Sequence, residues 1–215
     1  TDELLALEVP PWLVEGVFPA GLSLLFGAEK TGKSYVALQT AWSFATGTKW
    51  FRRMCRSEPG QVLYLAGEGV ADLKLRVEAL VAETDAHPGR LIRWWTEPLS
   101  LARDRDGAKL RLAVKECGAE LVVVDTWRRF SGLQDENDAS QVSAALAPLE
   151  DIATQGTSVL VVHHSNAEGG IRGSTALAGA VESAARCIID PDVGRVALTS
   201  FRSRRGVGFA DINLG

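Results

Sequence analysis

The residues with the clearest chemical meaning form a short loop bounded by glycines, Gly27-Ala28-Glu29-Lys30-Thr31-Gly32-Lys33-Ser34. The loop matches the phosphate-binding pattern G-x-x-x-x-G-K-[ST] at every fixed position. Glycines let backbone N–H groups turn toward phosphate oxygens, and a helix that starts near Lys33 directs its positive end at them. The pattern predicts that Lys33 contacts the β- and γ-phosphates of ATP or GTP and that the Ser34 hydroxyl binds Mg²⁺. We count Tyr35, which follows directly, among the nucleotide-binding residues.

Two acidic residues at the ends of apolar runs add a metal ligand and a base to this loop. Asp125 ends the run Leu121-Val122-Val123-Val124, and Glu68 follows Tyr64-Leu65-Ala66-Gly67. An acid in the position of Asp125 can hold a water on Mg²⁺ opposite Ser34. Hydrolysis also requires a group that orients and polarises the attacking water, and we assign that role to Glu68.

Short apolar runs that alternate with helical stretches position these residues. The phosphate-binding loop lies between a predicted strand, 22–26, and a predicted helix that ends near Thr46. Further strands are predicted at 62–66, 91–95, 121–124, 158–162, 187–189, 195–201 and 207–212. Further helices are predicted at 72–83, 107–117, 137–154 and 174–186. The acidic stretch 135–138 is interpreted as the N-terminus of the helix 137–154, with Asn137 as its cap.

This alternation predicts a three-layer α/β domain with a mostly parallel central sheet and an antiparallel C-terminal hairpin. We treat 1–215 as one domain, with an N-terminal extension at 1–20 and the hairpin region at 187–215. Ligands of such sheets bind beyond the carboxyl ends of the strands, so the phosphate-binding loop, Glu68 and Asp125 are expected to meet there.

Composition excludes several classes of protein. The chain has 215 residues, of which 46% are hydrophobic and 23% charged, and its net charge is −4; these values are typical of a soluble globular protein. No apolar run reaches the roughly 20 residues that span a bilayer, and the first residues lack a secretion signal. We therefore expect a cytoplasmic protein with no membrane partner. The three cysteines lack the spacing of metal ligands.

Further spaced features follow, namely Asp125-Thr126-Trp127-Arg128-Arg129-Phe130, Gly132, Asp135-Glu136-Asn137-Asp138, His163-His164 and Arg172-Gly173-Ser174. Together with the strand-end Glu68 they resemble the RecA-like ATPases, and more narrowly the hexameric replicative helicases of plasmids and phages (the RepA-like AAA ATPase family). The resemblance extends from about Trp12 to Gly206. It implies an ATP site between neighbouring subunits of a hexameric ring, with Lys33 and Ser34 on phosphate and Mg²⁺, Asp125 on the metal and Glu68 as the base.

The resemblance also implies roles for residues at the end of the predicted strand 158–162 and beyond. One histidine, His164 by preference and otherwise His163, would sense the γ-phosphate and relay its loss to the next loop. That loop, 166–175, would face a central channel and bind single-stranded DNA through Arg172, Gly173 and Ser174. Six copies of it around a channel would form an electrostatic groove.

The segment Phe201-Arg202-Ser203-Arg204-Arg205-Gly206 resembles the helicase segment whose two basic residues reach the γ-phosphate of a neighbouring subunit. In this chain those residues would be Arg202 and Arg204, with Arg205 as the alternative if the register differs by one residue. Alternate residues of a strand point the same way. Cations supplied by a neighbour stabilise the charge of the transition state.

The function expected from these features is that of an ATP-hydrolysing motor domain of a ring-forming replicative helicase that acts on single-stranded DNA. ATP and Mg²⁺ are its expected cofactors, and a primase or another replication domain is an expected partner besides further copies of the chain. The alternative is a recombinase-like or regulatory ATPase of the same fold that does not unwind DNA. A nucleoside or small-molecule kinase is a third hypothesis, which the absence of an evident Arg-rich lid disfavours.

Overall fold

The structure is a computed structural model that describes residues 12–55, 58–67, 69–190, 194–204 and 208–214. Its first two strands, β1 (Trp12–Val14) and β2 (Phe18–Pro19), form a separate two-stranded ribbon. Within the described ranges a second sheet contains eight strands, β3 (Leu22–Gly27), β4 (Val62–Ala66), β5 (Ile92–Trp95), β6 (Leu121–Asp125), β7 (Ser158–His164), β8 (Ser183–Ile189), β9 (Val196–Ser203) and β10 (Ile212–Leu214).

The large sheet has the strand order β10-β9-β8-β3-β7-β6-β4-β5. Its strands from β8 to β5 run parallel, whereas β9 is antiparallel to β8, and β10 is antiparallel to β9. Parallel strands that are covered on both faces carry apolar side chains throughout, as the fully buried run of β6 does. The α/β fold class, the mostly parallel sheet and the antiparallel C-terminal hairpin are therefore confirmed.

Helices cover both faces of the sheet. The described ranges contain α1 (Lys33–Thr46), α2 (Val70–Thr84), α3 (Asp104–Cys117), α4 (Trp127–Ser131), α5 (Ala139–Thr154) and α6 (Thr175–Ala180). Trp42 of α1 shares one hydrophobic cluster with Leu25 of β3. Leu110 of α3 and Leu146 of α5 share the other with Leu24. Because Leu24 and Leu25 point to opposite faces, the two clusters sandwich the sheet. No helix among the described residues is long and apolar enough to cross a membrane.

Two predicted elements differ from the structure near the C-terminus. The predicted helix 174–186 is wrong beyond Ala180, because the chain enters β8 at Ser183 and buries Ala184 in the sheet between β3 and β9. Strand pairing on both sides outweighs the helix propensity of alanine, which amounts to tenths of a kcal/mol per residue. The strand predicted at 207–212 is also displaced, since β10 begins at Ile212 and buries Ile212 and Leu214; residues 205–207 lie outside the described ranges.

The start of α5 differs from the prediction by one residue. Its N-cap is Asp138, whose Oδ1 accepts hydrogen bonds from the N–H groups of Ser140 and Gln141, rather than Asn137. The N–H of Asn137 instead donates to Oδ1 of Asp135 at 2.9 Å. The Asp138 carboxylate satisfies two of the open donors at the helix end, whereas Asn137 donates through its backbone and side-chain N–H groups to Asp135.

The strand register brings the candidate residues to one edge of the sheet. Gly27 pairs with His164, and Asp125 pairs with Ala66 and with Val162. The carboxyl ends of β3, β7, β6 and β4 are therefore neighbours in that order. A loop that follows β3 and side chains at the ends of β6 and β7 consequently border one cleft, where ligands of such sheets bind.

Candidate nucleotide-binding site

Backbone crowding explains the glycines that bound the phosphate-binding loop. A Cβ on Gly27 would overlap the carbonyl oxygen of Cys187 in β8, and one on Gly32, which has φ +88°, would lie 2.8 Å from Cγ2 of Val196. The Cys187 thiol donates to the carbonyl of Thr31 at 3.0 Å, and burial raises the pKa of this thiol to about 11. The loop therefore lies directly on β8 and β9, with no room for a side chain at either glycine.

Hydrogen bonds inside the loop hold Lys33 over its centre. The Thr31 hydroxyl and the Lys33 ammonium both donate to the carbonyl of Ala28, at 2.9 and 2.5 Å. Lys33 is buried at the start of α1, although it belongs to a residue type that is almost never buried without a partner. Its ammonium is therefore held inside the loop that the pattern predicts to bind the phosphates of a nucleotide.

An open cleft of about 620 Å³ lies over this loop, a volume in the range of small-molecule sites. Residues from the loop, from α1, α2, α4 and β7 and from the segment after β7 line it: Glu29, Lys30, Gly32, Lys33, Ser34, Tyr35, Arg76, Thr126, Arg128, His164 and Arg172. Cations outnumber acids in this lining, so the cleft attracts polyanions.

Asp125 and Ser34, the predicted metal ligands, lie in contact. The Ser34 hydroxyl donates to Oδ1 of Asp125 at 3.2 Å, and the Tyr64 hydroxyl donates to Oδ2 at 2.8 Å. Both Asp125 and Tyr64 are buried. Burial, together with the nearby carboxylate, raises the pKa of Tyr64 well above its usual value, so the phenol remains a hydrogen-bond donor. Tyr64 thus orients the carboxylate from behind, as outer-shell partners of metal ligands do.

The residues at this point suit Mg²⁺ bound together with a triphosphate. Mg²⁺ prefers oxygen ligands and keeps several waters, so one hydroxyl and one carboxylate suffice when phosphate oxygens supply the rest. Within the part of the chain that the structure describes, no group of three or more histidines, cysteines or acids offers another metal site. Ser34 and Asp125 would hold the ion, which would supply positive charge that offsets the charge of the phosphates.

Glu68, the predicted base, lies outside the described residues. The residue before it, Gly67, donates its N–H to the carbonyl of Asp125 at 2.7 Å. Arg129 and Phe130 of α4 pack so closely on Gly67 that a Cβ there would meet both side chains. The backbone at Gly67 is therefore fixed beside the predicted metal ligand.

The two histidines at the end of β7 have different surroundings. His164 is half-buried and lines the cleft, whereas His163 is buried beneath it. Nε2 of His163 donates to the carbonyl of Arg172 at 3.1 Å, because a carbonyl can only accept. Burial lowers the pKa of His163 to about 4, so its ring is neutral at pH 7. The structure therefore brings His164, the preferred γ-phosphate sensor, to the cleft and joins His163 to the following loop.

Arg172, Gly173 and Ser174, the predicted DNA-binding residues, are tied to Glu136. Nε of Arg172 lies 2.8 Å from Oε2 of Glu136, and Nη1 of Arg128 lies 2.7 Å from Oε1. Burial by itself would raise the pKa of Glu136, but the hydrogen bond from Arg128 and the charges of both arginines outweigh it and lower that pKa. The Ser174 N–H donates to the Glu136 carbonyl at 2.8 Å, and a Cβ on Gly173 would lie 2.6 Å from the same oxygen. Arg172 therefore lines the nucleotide cleft, while Gly173 and Ser174 pack against Glu136.

Arg202 and Arg204 do not line the cleft of their own chain. β9 runs away from the phosphate-binding loop and ends at Ser203, so Arg202 alone of the two lies within the strand. Arg204 forms an ion pair with Glu182 at 3.1 Å and donates to the carbonyl of Gly179. The Arg202 side chain is exposed and makes no hydrogen bond or ion pair with any residue in the described ranges. The alternative, Arg205, lies outside those ranges.

Sequence reasoning assigned no site role to Tyr64, Arg76, Arg128 or Glu136, which the structure places at or behind the cleft. Arg128 and Glu136 stood in the run of spaced features, but their pairing depends on how α4 and the segment before α5 fold back. Arg76 lies on α2 with no local pattern to distinguish it from a solvated helix residue. A single sequence does not show such contacts between separate elements.

Solved structures with the same fold include the RadB recombinase, with a TM-score of 0.67 and 19% sequence identity over 99% of this chain and 90% of that chain. A KaiC-like protein from the hyperthermophilic archaeon Pyrococcus horikoshii OT3 has a TM-score of 0.64 and 16% identity over 95% of this chain and 91% of that one. Fold and site together define a P-loop ATPase domain of RecA-like fold. The chain belongs to the AAA domain family, whose model matches residues 3–170. No curated protein matches the chain.

Proposed function

We propose that this chain is the ATP-hydrolysing domain of a RecA-type ATPase that works as an assembly of copies, in the manner of a recombinase or a regulatory ATPase. The observation that carries the proposal is the hydrogen-bonded series Ser34–Asp125–Tyr64 beside a complete phosphate-binding loop. The similarity to the RadB recombinase and to a KaiC-like protein supports this form of the function over the helicase form.

Each group near the loop has a distinct part in the proposed reaction. Lys33 and the loop backbone hold the triphosphate, and Ser34 and Asp125 hold Mg²⁺. Glu68 orients and polarises the attacking water. Tyr35, at the start of α1 and on the cleft, lies beside the bound nucleotide.

His164 connects this site to the loop 166–174. The Arg172 N–H donates to the carbonyl of His164 at 3.2 Å, and the Ser165 N–H donates to the carbonyl of Gly27 at 2.9 Å. A displacement of His164 or of the phosphate-binding loop therefore reaches 166–174 through direct hydrogen bonds. In the proposed cycle this loop changes with the state of the nucleotide and carries the change to a partner such as single-stranded DNA.

A second copy of the chain completes the site in this proposal. Arg202 is exposed on β9 and does not line its own cleft. An arginine supplied by a neighbour stabilises the charge of the phosphoryl-transfer transition state. Arg202 has this role more readily than Arg204, which is engaged with Glu182 and Gly179.

Product analysis with Mg·ATP tests the function directly. The wild-type chain is expected to release ADP and free phosphate, and Lys33→Ala is expected to slow turnover by about 100-fold or more, because the lysine stabilises transferring phosphate charge. Lys49→Ala, at an exposed lysine outside the cleft, is the matched control and should keep the wild-type rate. A phosphorylated acceptor with little free phosphate would indicate a kinase, and no turnover of ATP or GTP would contradict the proposal.

A replicative helicase motor is the second candidate. It is favoured by the way Arg128, Glu136 and Arg172, all from the run that resembles those helicases, meet at one point of the cleft. A strand-displacement assay on forked DNA separates the two candidates. Unwinding that depends on ATP would establish the helicase form, and ATP turnover stimulated by single strands without unwinding would favour the recombinase-like form.

A further inference from the structure

Two arginines from separate segments meet on one buried carboxylate at the nucleotide cleft. Arg128 comes from α4, just after Asp125, and Arg172 comes from the loop after β7. The Glu136 side chain is only 9% exposed, whereas those of Arg128 and Arg172 are 55% and 48% exposed. The carboxylate is therefore enclosed, and both guanidinium groups remain open to the cleft that they line.

The contacts leave each guanidinium with further donors. Arg128 contacts Glu136 through Nη1 and Arg172 contacts it through Nε, so the other N–H groups of both side chains remain for an oxygen in the cleft. Two guanidinium groups so near one point repel each other, and the shared carboxylate offsets that repulsion. Glu136 thus keeps together a pair of cations with one net positive charge.

We propose that Arg128 and Arg172 form an anion-binding pair for the terminal phosphate of a nucleoside triphosphate, and that Glu136 is the residue that positions them. This inference rests on the proposed function. The pair lies on the side of the cleft where β6 and β7 end, because α4 follows Asp125 directly and the Arg172 N–H donates to the His164 carbonyl. A diphosphate does not extend to that side, so the pair makes the site prefer the triphosphate.

The preference for triphosphate over diphosphate is the quantity to measure. Calorimetric titration in the presence of Mg²⁺, with either a non-hydrolysable ATP analogue or ADP, measures both affinities. The preference is the dissociation constant of ADP divided by that of the ATP analogue. Glu136→Gln is expected to lower this ratio by about tenfold, since a charge-assisted hydrogen bond to each cation is lost and the pair is no longer fixed. Asp135→Asn is the matched control: it removes the same charge from the adjacent, exposed residue, whose Oδ1 accepts hydrogen bonds from Asn137. It should leave the ratio unchanged.

A comparison of combined variants separates positioning from mere structural support. If Glu136 acts through the arginines, adding Glu136→Gln to a chain that already carries both Arg128→Gln and Arg172→Gln lowers the triphosphate preference no further. A Glu136→Gln chain that melts at a lower temperature yet keeps the wild-type ratio would overturn the inference. Should that variant fail to fold, Arg128→Gln and Arg172→Gln must each lower the ratio, and unchanged ratios in both would overturn it as well.

The wild-type chain distinguishes failure of this inference from failure of the proposed function. If it turns over Mg·ATP while Glu136→Gln keeps the full triphosphate preference, the inference is wrong and the proposed function stands. If the wild-type chain binds neither nucleotide, the proposed function and the arginine pair are both wrong.

Discussion

The hydroxyl group of Tyr64 is one of the contacts that orient the Asp125 carboxylate. Tyr64 donates to Oδ2 while Ser34 donates to Oδ1. The tyrosine ring is buried and packs against the ring of Trp94. Removing the hydroxyl leaves the ring packing intact and takes away one contact that orients the carboxylate. The effect should therefore fall on the metal rather than on the fold.

Tyr64→Phe is expected to raise the Mg²⁺ concentration needed for half-maximal ATP turnover by about tenfold or more, as the loss of outer-shell hydrogen bonds does elsewhere. A magnesium titration at saturating ATP measures it. Ser23→Ala is the matched control. It removes another buried hydroxyl hydrogen bond, to Ser183 at 3.2 Å, near the amino ends of β3 and β8 and so away from the cleft. An identical magnesium dependence in Tyr64→Phe and wild type would show that Asp125 is held without this contact.

His163 makes the stability of the fold depend on pH in a defined window. Burial lowers its pKa from 6.5 to about 4, so the unfolded chain binds more protons than the folded chain between these values. The contribution of neutral His163 to the free energy of unfolding is therefore complete above pH 6.5. This contribution, about 3 kcal/mol in total, is lost as the pH falls toward 4.

His163→Gln keeps an amide that can reach the Arg172 carbonyl but cannot titrate, so its stability should decline less between pH 6.5 and 4 than that of the wild type. Urea unfolding at a series of pH values measures the difference. His87→Gln, at the exposed histidine, should follow the wild-type curve. Parallel curves for His163→Gln and wild type would mean that His163 is not held neutral.

The loop that follows β7 is fixed as an element by its packing against residue 136. Gly173 has φ +83°, and a Cβ there would press on the Glu136 carbonyl, which accepts the Ser174 N–H. Gly156, with φ +93°, has open space around its Cβ position. The two glycines thus share a backbone conformation and differ in what surrounds them.

Gly173→Ala is expected to lower the free energy of unfolding by about 1–3 kcal/mol more than Gly156→Ala does, because overpacking adds to the strain of a left-handed alanine. Urea denaturation of both variants beside the wild type gives the comparison. Equal losses in the two variants would mean that the loop adapts without cost and is not fixed against α5.

Local sequence patterns predicted the elements in which the local preference for helix or strand matches what the surrounding fold requires. The strand 62–66 matches β4 at both ends, since a continuous apolar run is what a doubly covered strand requires. At 174–186 the alanines favour a helix locally, but pairing with β3 and β9 makes residues 183–189 a strand. The phosphate-binding loop and Asp125 could be recognised because each is identified by a pattern of consecutive residues. The Glu136 contacts could not, because they join segments whose approach only the folded chain defines.

In the whole molecule, the direction of the strands places the phosphate-binding loop and Arg202, the two parts of the proposed catalytic site, at opposite ends of the sheet. The phosphate-binding loop follows the carboxyl end of β3, while β9 carries Arg202 away from that edge. One chain therefore cannot bring both to the same phosphate, and an assembly in which each interface combines the cleft of one copy with Arg202 of the next is the arrangement that can.

Mixing two inactive variants tests this arrangement. Arg202→Ala keeps an intact cleft and Glu68→Ala keeps an intact Arg202, so random co-assembly in equal amounts should restore about a quarter of the wild-type ATP turnover per interface. Arg202→Ala mixed with Lys33→Ala should behave alike, whereas either variant alone should stay inactive. A mixture with no more activity than its components, or wild-type turnover that persists at dilutions where only monomers exist, would contradict an interface site.

The position of β8 directly beneath the phosphate-binding loop has a practical consequence for labelling. A thiol with a pKa of about 11, such as that of Cys187, is almost entirely protonated at neutral pH and reacts slowly with maleimides. Cys55 is also buried, whereas Cys117 is half-buried at the end of α3. A maleimide dye should therefore attach at Cys117 first, without any cysteine having to be replaced.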